Sequence, residues 1–289
     1  MSTLPRILIA ALALTLAGTL LPAPAQGATG FDDVRADRWY TEPIAWLVHE
    51  DITTGTEPGC FSPYDPVTRG QIVAFLYRLD EARGNEPRPA DHPFDDITAA
   101  YQQAPVGWAY DSNVTVGTSA TTFTPGAQVT RGDFAALLWR YAGTPAPRQP
   151  HPFDDVHRAY QQDAVAWMAE RGITTGTSAT TFHPEATMTR AEAATFLFRF
   201  MDRPALEGPA PAAETSCLAP LRNALEAGGL TPTEAACAAP RLIDIGLERV
   251  LGILDGSAPF SFDVLAPVAD VAAACIPADR RATVIRLFL

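Results

Sequence analysis

Every basic residue of this chain is an arginine, 21 in 289 residues, and there is no lysine. Three of these arginines recur in one short context: Thr68-Arg69-Gly70-Gln71, Thr130-Arg131-Gly132-Asp133 and Thr189-Arg190-Ala191-Glu192. A guanidinium is planar and permanently charged, and its fork of N–H donors matches a carboxylate with two parallel bonds. Little other chemistry is on offer. Without lysine there is no Walker A phosphate loop, no Schiff-base amine, no Ser-x-x-Lys nucleophile and no protein-kinase site. The five histidines (His49, His92, His151, His157, His183) form no His-Glu-x-x-His, and no Gly-x-Ser-x-Gly turn is present. The Asp-Asp pairs lack the spacing of an EF-hand. The chain is read as a non-enzyme with no cofactor and no metal; an enzyme with a non-obvious site is the rival class.

The bulk numbers bound the partners. Apolar residues make up 47% and charged residues 19%, enough for a packed core. A net charge of −12 argues against general nucleic-acid binding. Met1 to Arg6 precedes an apolar run, Ile7 to Leu21, that as a helix spans only about 22 Å, short of the ~30 Å hydrocarbon core. With Ala23-Pro24-Ala25 and Ala28 as small-residue cleavage positions, residues 1–28 read as a signal peptide cut between Ala25 and Ala28, leaving no integral membrane span. Four cysteines in an exported chain suggest disulfides, and none forms a zinc-like cluster. Cys237 with Cys275 is the favoured pair, leaving Cys60 and Cys217 to bridge domains or stay free.

The arginines need a scaffold, and self-comparison supplies it. Phe31-Asp32-Asp33-Val34 recurs as Phe94-Asp95-Asp96-Ile97 and Phe153-Asp154-Asp155-Val156, at offsets of 63 and 59 residues. Between it and the Thr-Arg motif lie a shared Trp (Trp46, Trp108, Trp167), a Gly-Thr (Gly55, Gly117, Gly176) and a Phe-x-Pro (Phe61, Phe123, Phe182). Each repeat reads as two helices. The first runs near Glu42 to Glu50, Pro105 to Ser112 and Ala164 to Arg171, with Ile44, Leu47 and Val48 as an apolar stripe. Asp51, Asn113 and Gly172 follow as left-handed caps. The second helix starts at Thr68, Thr130 and Thr189, whose side chains, with Gln71, Asp133 and Glu192 three residues on, suit a capping box. Arginine beside the positive end of a helix is locally unfavourable, so its recurrence asks for a reason. An anion attracted to that same helix end is one.

Taken together, Phe-x-Asp-Val, Gly-Thr, Phe-x-Pro and Thr-Arg-x-Glu resemble S-layer homology repeats from Phe31 to about Phe200. The resemblance implies a mainly α fold of three helix-loop-helix repeats in a pseudo-threefold spindle. The first helices would form a central bundle, with the second helices as prongs and three grooves between repeats. It also implies non-covalent attachment of an exported protein to anionic cell-wall polysaccharide, often a pyruvylated secondary polymer, at the cell surface. On that basis Arg69, Arg131 and Arg190 would bind the ligand. Asp33, Asp96 and Asp155 would orient them or touch sugar hydroxyls, unless they only cap turns. Trp39, Tyr101 and Tyr160 would line the grooves, and Gly55, Gly117 and Gly176 would bring the backbone close to the ligand. Trp46, Trp108 and Trp167 are read as core. Repeats one and two depart from the pattern, with glycine where repeat three has Ala191.

The expected divisions are a signal peptide at 1–28, repeats at 29–88, 89–148 and 149–203, a Pro/Ala-rich linker at 204–215 and a Cys-containing helical module at 216–289. In the last, Ser216 to Ala227 reads as an amphipathic helix. Thr231-Pro232-Thr233-Glu234 opens another, and Leu247 to Leu254 and Phe262 to Cys275 give two more. A small helical bundle of this kind gains from a disulfide. A structural envelope protein using its repeats for protein contacts is the other alternative to wall anchoring.

Overall fold

The computed structural model describes residues 29–204, 216–254, 257 and 262–281; residues 1–28, read as a signal peptide, and residues 205–215, read as linker, lie outside them. The regular secondary structure of the described residues is helical, apart from isolated β-bridges. Repeat one contributes α1 (Thr41–His49) and α2 (Arg69–Ala82), repeat two α3 (Ala100–Asp111) and α4 (Arg131–Tyr141), and repeat three α5 (Ala159–Glu170) and α6 (Arg190–Phe200). Thr68, Thr130 and Thr189 cap the second helices by accepting from the backbone N–H of Gln71, Asp133 and Glu192. The reciprocal half of the box forms with Gln71 and Glu192. α3 and α5 begin five residues before the sequence reading. Pro105 therefore sits inside α3 rather than in its first turn. It is buried there, and packing offsets the lost backbone bond.

The repeats close into a ring. Just ahead of the second helices, Val67 N–H donates to Met188, Met188 N–H to Val129 and Val129 N–H to Val67, a triangle of backbone bonds of 2.9 to 3.0 Å. Past it, the N–H groups of Arg69 and Gly70 donate to Ala127 and Pro125 of repeat two. Those of Arg131 and Gly132 reach Ala186 and Pro184, and those of Arg190 and Ala191 return to Asp65 and Pro63. The orphan donors of each second helix are thus satisfied by the following repeat.

This arrangement inverts one expectation. The second helices surround the axis, meeting through Phe134 against Phe196 and Tyr141 against Phe200. The first helices pack outside, α3 on α2, α5 on α4 and α1 on α6. The reason is apolar surface: the second helices carry Ile72, Phe75, Phe134, Leu138, Phe196 and Leu197, all in the core. Trp46, Trp108 and Trp167 are buried with them. The glycines in the Thr-Arg-Gly motifs also have a packing cause. A Cβ on Gly70 would lie 2.1 Å from the Gln102 side chain, and one on Gly132 would lie 2.2 Å from that of Gln161.

The C-terminal module builds a second core from α7 (Ala219–Ala227), α8 (Pro232–Leu242), a 3-10 turn (Ile243–Ile245), α9 (Leu247–Leu254) and α10 (Phe262–Cys275). Cys237–Cys275 joins α8 to α10. Cys60–Cys217 fastens the module to repeat one, with no free cysteine among the described residues. Asp244 reinforces the junction by pairing with Arg35 and Arg38 and accepting from the Tyr64 hydroxyl at 3.2 Å.

Candidate functional site

Each repeated arginine reaches across to the next repeat. Arg69 Nε donates to the Phe123 carbonyl at 2.9 Å, Arg131 Nε to Phe182 at 2.9 Å and Arg190 Nε to Phe61 at 2.7 Å. The guanidinium lies over the ring of the same phenylalanine, 4.7, 4.9 and 4.5 Å from its centre. Phe-x-Pro is therefore half of a cross-repeat clasp whose other half is Thr-Arg.

The Phe-x-Pro turn is strained and locked. Its middle residue, Ser62, Thr124 or His183, has φ of 56°, 58° or 56°. Asp33, Asp96 and Asp155 hold these turns by accepting from two successive backbone N–H groups, Phe61 and Ser62, Phe123 and Thr124, and Phe182 and His183. The three carboxylates are thus engaged by backbone behind the arginine clasps. Their environments differ. Asp96 and Asp155 are lowered: burial opposes the charge, but the two N–H bonds outweigh it. Asp33 has the same bonds, yet burial pushes it up to about 6. Its carboxylate lies within 4.8 Å of both sulfurs of Cys60–Cys217.

A groove drawing on all three repeats lies at Arg131, and the residues around Arg69 and Arg190 likewise come from all three. The groove around Arg131 encloses about 410 Å³. Its walls are Gly176, Glu192 and Arg199 of repeat three with Trp39 of repeat one. The Arg69 groove brings in Asp133 and Arg140, whose charges act on Arg69, and Tyr160, whose hydroxyl donates to Asp133 at 2.8 Å. In the third, Tyr101 and Asp33 act electrostatically on Arg190, which burial holds down to about 10. Trp39, Tyr101 and Tyr160 are among the most exposed large side chains, at 58%, 56% and 43%. Gly55, Gly117 and Gly176 have φ of 92°, 82° and 77°, and a Cβ on each would strike Phe31, Phe94 or Phe153 within 3 Å. Their backbone shape is therefore required by packing as well as by the groove wall.

The sequence reading missed a second set of arginines. Arg78, Arg140 and Arg199 each stand nine residues after Arg69, Arg131 and Arg190. That constant spacing was the available signal. Arg78 donates to the Ile52 carbonyl at 3.1 Å and Arg199 to Ile173 at 3.2 Å. The Arg131 groove thus holds two guanidinium groups, an aromatic ring and an ordered backbone wall, and the charge of Arg140 acts on Arg69 in the same way. That set suits an anionic, hydroxyl-rich ligand.

The S-layer homology domain model matches residues 30–73, 93–135 and 152–194, one copy on each repeat. The chain carries three S-layer homology repeats and is a secreted, cell-surface protein. It is 28% identical over 191 residues to an S-layer protein of Bacillus thuringiensis subsp. finitimus, covering 63% of this chain and 22% of that one. It is also 33% identical over 130 residues to an endoglucanase of Bacillus sp. (strain KSM-635), covering 44% of this chain and 14% of the enzyme. A cellulosome-anchoring protein of Acetivibrio thermocellus is 24% identical over 170 residues, covering 55% of this chain and 37% of that one. The chain spans between about a seventh and about two-fifths of the length of these three relatives. Among the described residues no helix is long and apolar enough to cross a membrane.

Proposed function

We propose that this protein attaches non-covalently to an anionic cell-wall polysaccharide through the inter-repeat grooves, and so holds its C-terminal module at the cell surface. The observation that carries the reading is the groove at Arg131, where Arg199 and the exposed ring of Trp39 stand beside it, with the same arginine clasp repeated at Arg69 and Arg190. Arginine recognises carboxylates bidentately, and exposed rings stack on sugar faces, so a carboxylate-bearing polymer, pyruvylated in the fullest form of the reading, fits both features. Each groove alone supplies a few charge-assisted bonds worth about 1.5–3 kcal/mol each, so several grooves on one rigid body gain by effective concentration. The relatives agree: similar repeats occur in proteins named for the S-layer, for an endoglucanase and for cellulosome anchoring, as expected of a portable anchor.

Cosedimentation tests this directly. The purified chain should pellet with intact cell walls and remain soluble when the same walls have been stripped of their secondary polysaccharide. Equal pelleting with both preparations would contradict the reading.

A further inference from the structure

The three grooves occupy equivalent positions but differ in chemistry. Around Arg131, Nη1 is 2.8 Å from a carboxylate oxygen of Glu192, and the residue is 5% exposed. Its charge is answered within the protein. Arg190 is 2% exposed, its Nη2 is enclosed with no hydrogen-bond partner among the described residues, and Arg78, the counterpart of Arg140 and Arg199 by spacing, is tied to Ile52. An enclosed atom meets no ligand unless the groove opens.

The Arg69 groove differs on each count. Arg69 is partly exposed, and among the described residues its only side-chain hydrogen bond runs from Nε, leaving both terminal nitrogens to donate. Arg140 makes no counterpart of the Arg78 and Arg199 bonds to backbone among the described residues, and its like charge lowers the Arg69 pKa after burial and against Asp133. The acids facing Arg69 are otherwise engaged. Asp133 accepts from Tyr160, and Asp96 holds two backbone N–H groups. Arg158, which reaches the Tyr160 hydroxyl, is paired with Glu185 at 2.7 Å. Repeat two also places Val116, 68% exposed, where the other repeats have Thr54 and Thr175.

We propose that the Arg69–Arg140 groove is the dominant carboxylate-binding groove of this chain, with Val116 giving it an apolar wall for the C–H face of a sugar. The proposal rests on the reading of the grooves as glycan sites. Two adjacent cations with free donors, no ion pair to displace among the described residues and an apolar neighbour favour a carboxylate over water. The Arg131 groove must first break its bond to Glu192.

Retention on purified walls at moderate salt separates the grooves. Arg140→Ala should lower the binding constant at least tenfold. Arg199→Ala and Arg78→Ala, at the equivalent positions, should each lower it less than threefold. Glu192→Gln keeps a capping-box residue, as Gln71 shows in repeat one, and by freeing Arg131 should raise retention severalfold. Circular dichroism confirms that each variant is folded. If the native chain binds walls and Arg140→Ala loses no more than Arg199→Ala, or Glu192→Gln gains nothing, the hierarchy of grooves is wrong. If the native chain is not retained at all, it is the glycan reading that fails.

Discussion

Asp33 gives the sharpest physical test, because the same turn occurs three times with one altered environment. Burial raises its carboxyl from 3.8 to about 6, although Phe61 and Ser62 both donate to it. A raised native pKa means that the native state holds the proton more tightly than the unfolded chain. The stability it contributes is full below pH 3.8 and is lost as pH rises through 6. With 1.36 kcal/mol for each pKa unit, the total is about 3 kcal/mol, of which about 2 falls between pH 4.5 and 7. Asparagine at position 33 does not titrate. The difference in unfolding free energy between the native chain and Asp33→Asn, measured by urea denaturation, should therefore shrink by about 2 kcal/mol across that interval. Asp96→Asn should show the opposite sign, because Asp96 is lowered and favours the native state above its unfolded pKa. A flat Asp33 difference, or equal slopes for the two variants, would refute the claim that burial beside the Cys60–Cys217 bridge outweighs the backbone bonds.

Other consequences are read by simpler measurements. Replacing Cys60 and Cys217 together by serine should bring the Asp33 pKa, followed by NMR, down toward those of Asp96 and Asp155. Asp244→Ala strips the shared partner from Arg35, Arg38 and Tyr64; it should weaken docking of the C-terminal module by about 2 kcal/mol and speed proteolysis at its junction, with the repeats left protected. Gly107→Ala would place a Cβ 1.9 Å from the Ala90 carbonyl oxygen, a fixed backbone atom, and should lower stability by more than about 2 kcal/mol in thermal unfolding.

Much of this was written in the local pattern. Capping boxes, left-handed caps at Asp51, Asn113 and Gly172, and the tryptophan core depend on residues close in sequence, so the helices and the three repeats could be read directly. What local pattern does not carry is which helix faces the axis, since α1 and α2 both show apolar stripes. That choice rests on the Val67–Val129–Met188 triangle and on contacts between residues more than fifty positions apart. The same holds for the grooves. Trp39, Gly176 and Arg131 look unrelated along the chain, yet line one cavity because that groove takes a wall from each repeat. The raised pKa of Asp33 was beyond reach for a related reason: its motif is shared with Asp96 and Asp155, and what sets it apart is burial beside the Cys60–Cys217 bridge, whose second cysteine is 184 positions away.

The central claim is that carboxylates on a wall glycan are what the grooves recognise. Titrating the protein by calorimetry with purified wall polysaccharide, before and after chemical reduction of its carboxylates to alcohols, tests it most directly. Binding to the native polymer that weakens with salt and disappears on reduction is the predicted result. Equal affinity for both polymers would contradict it.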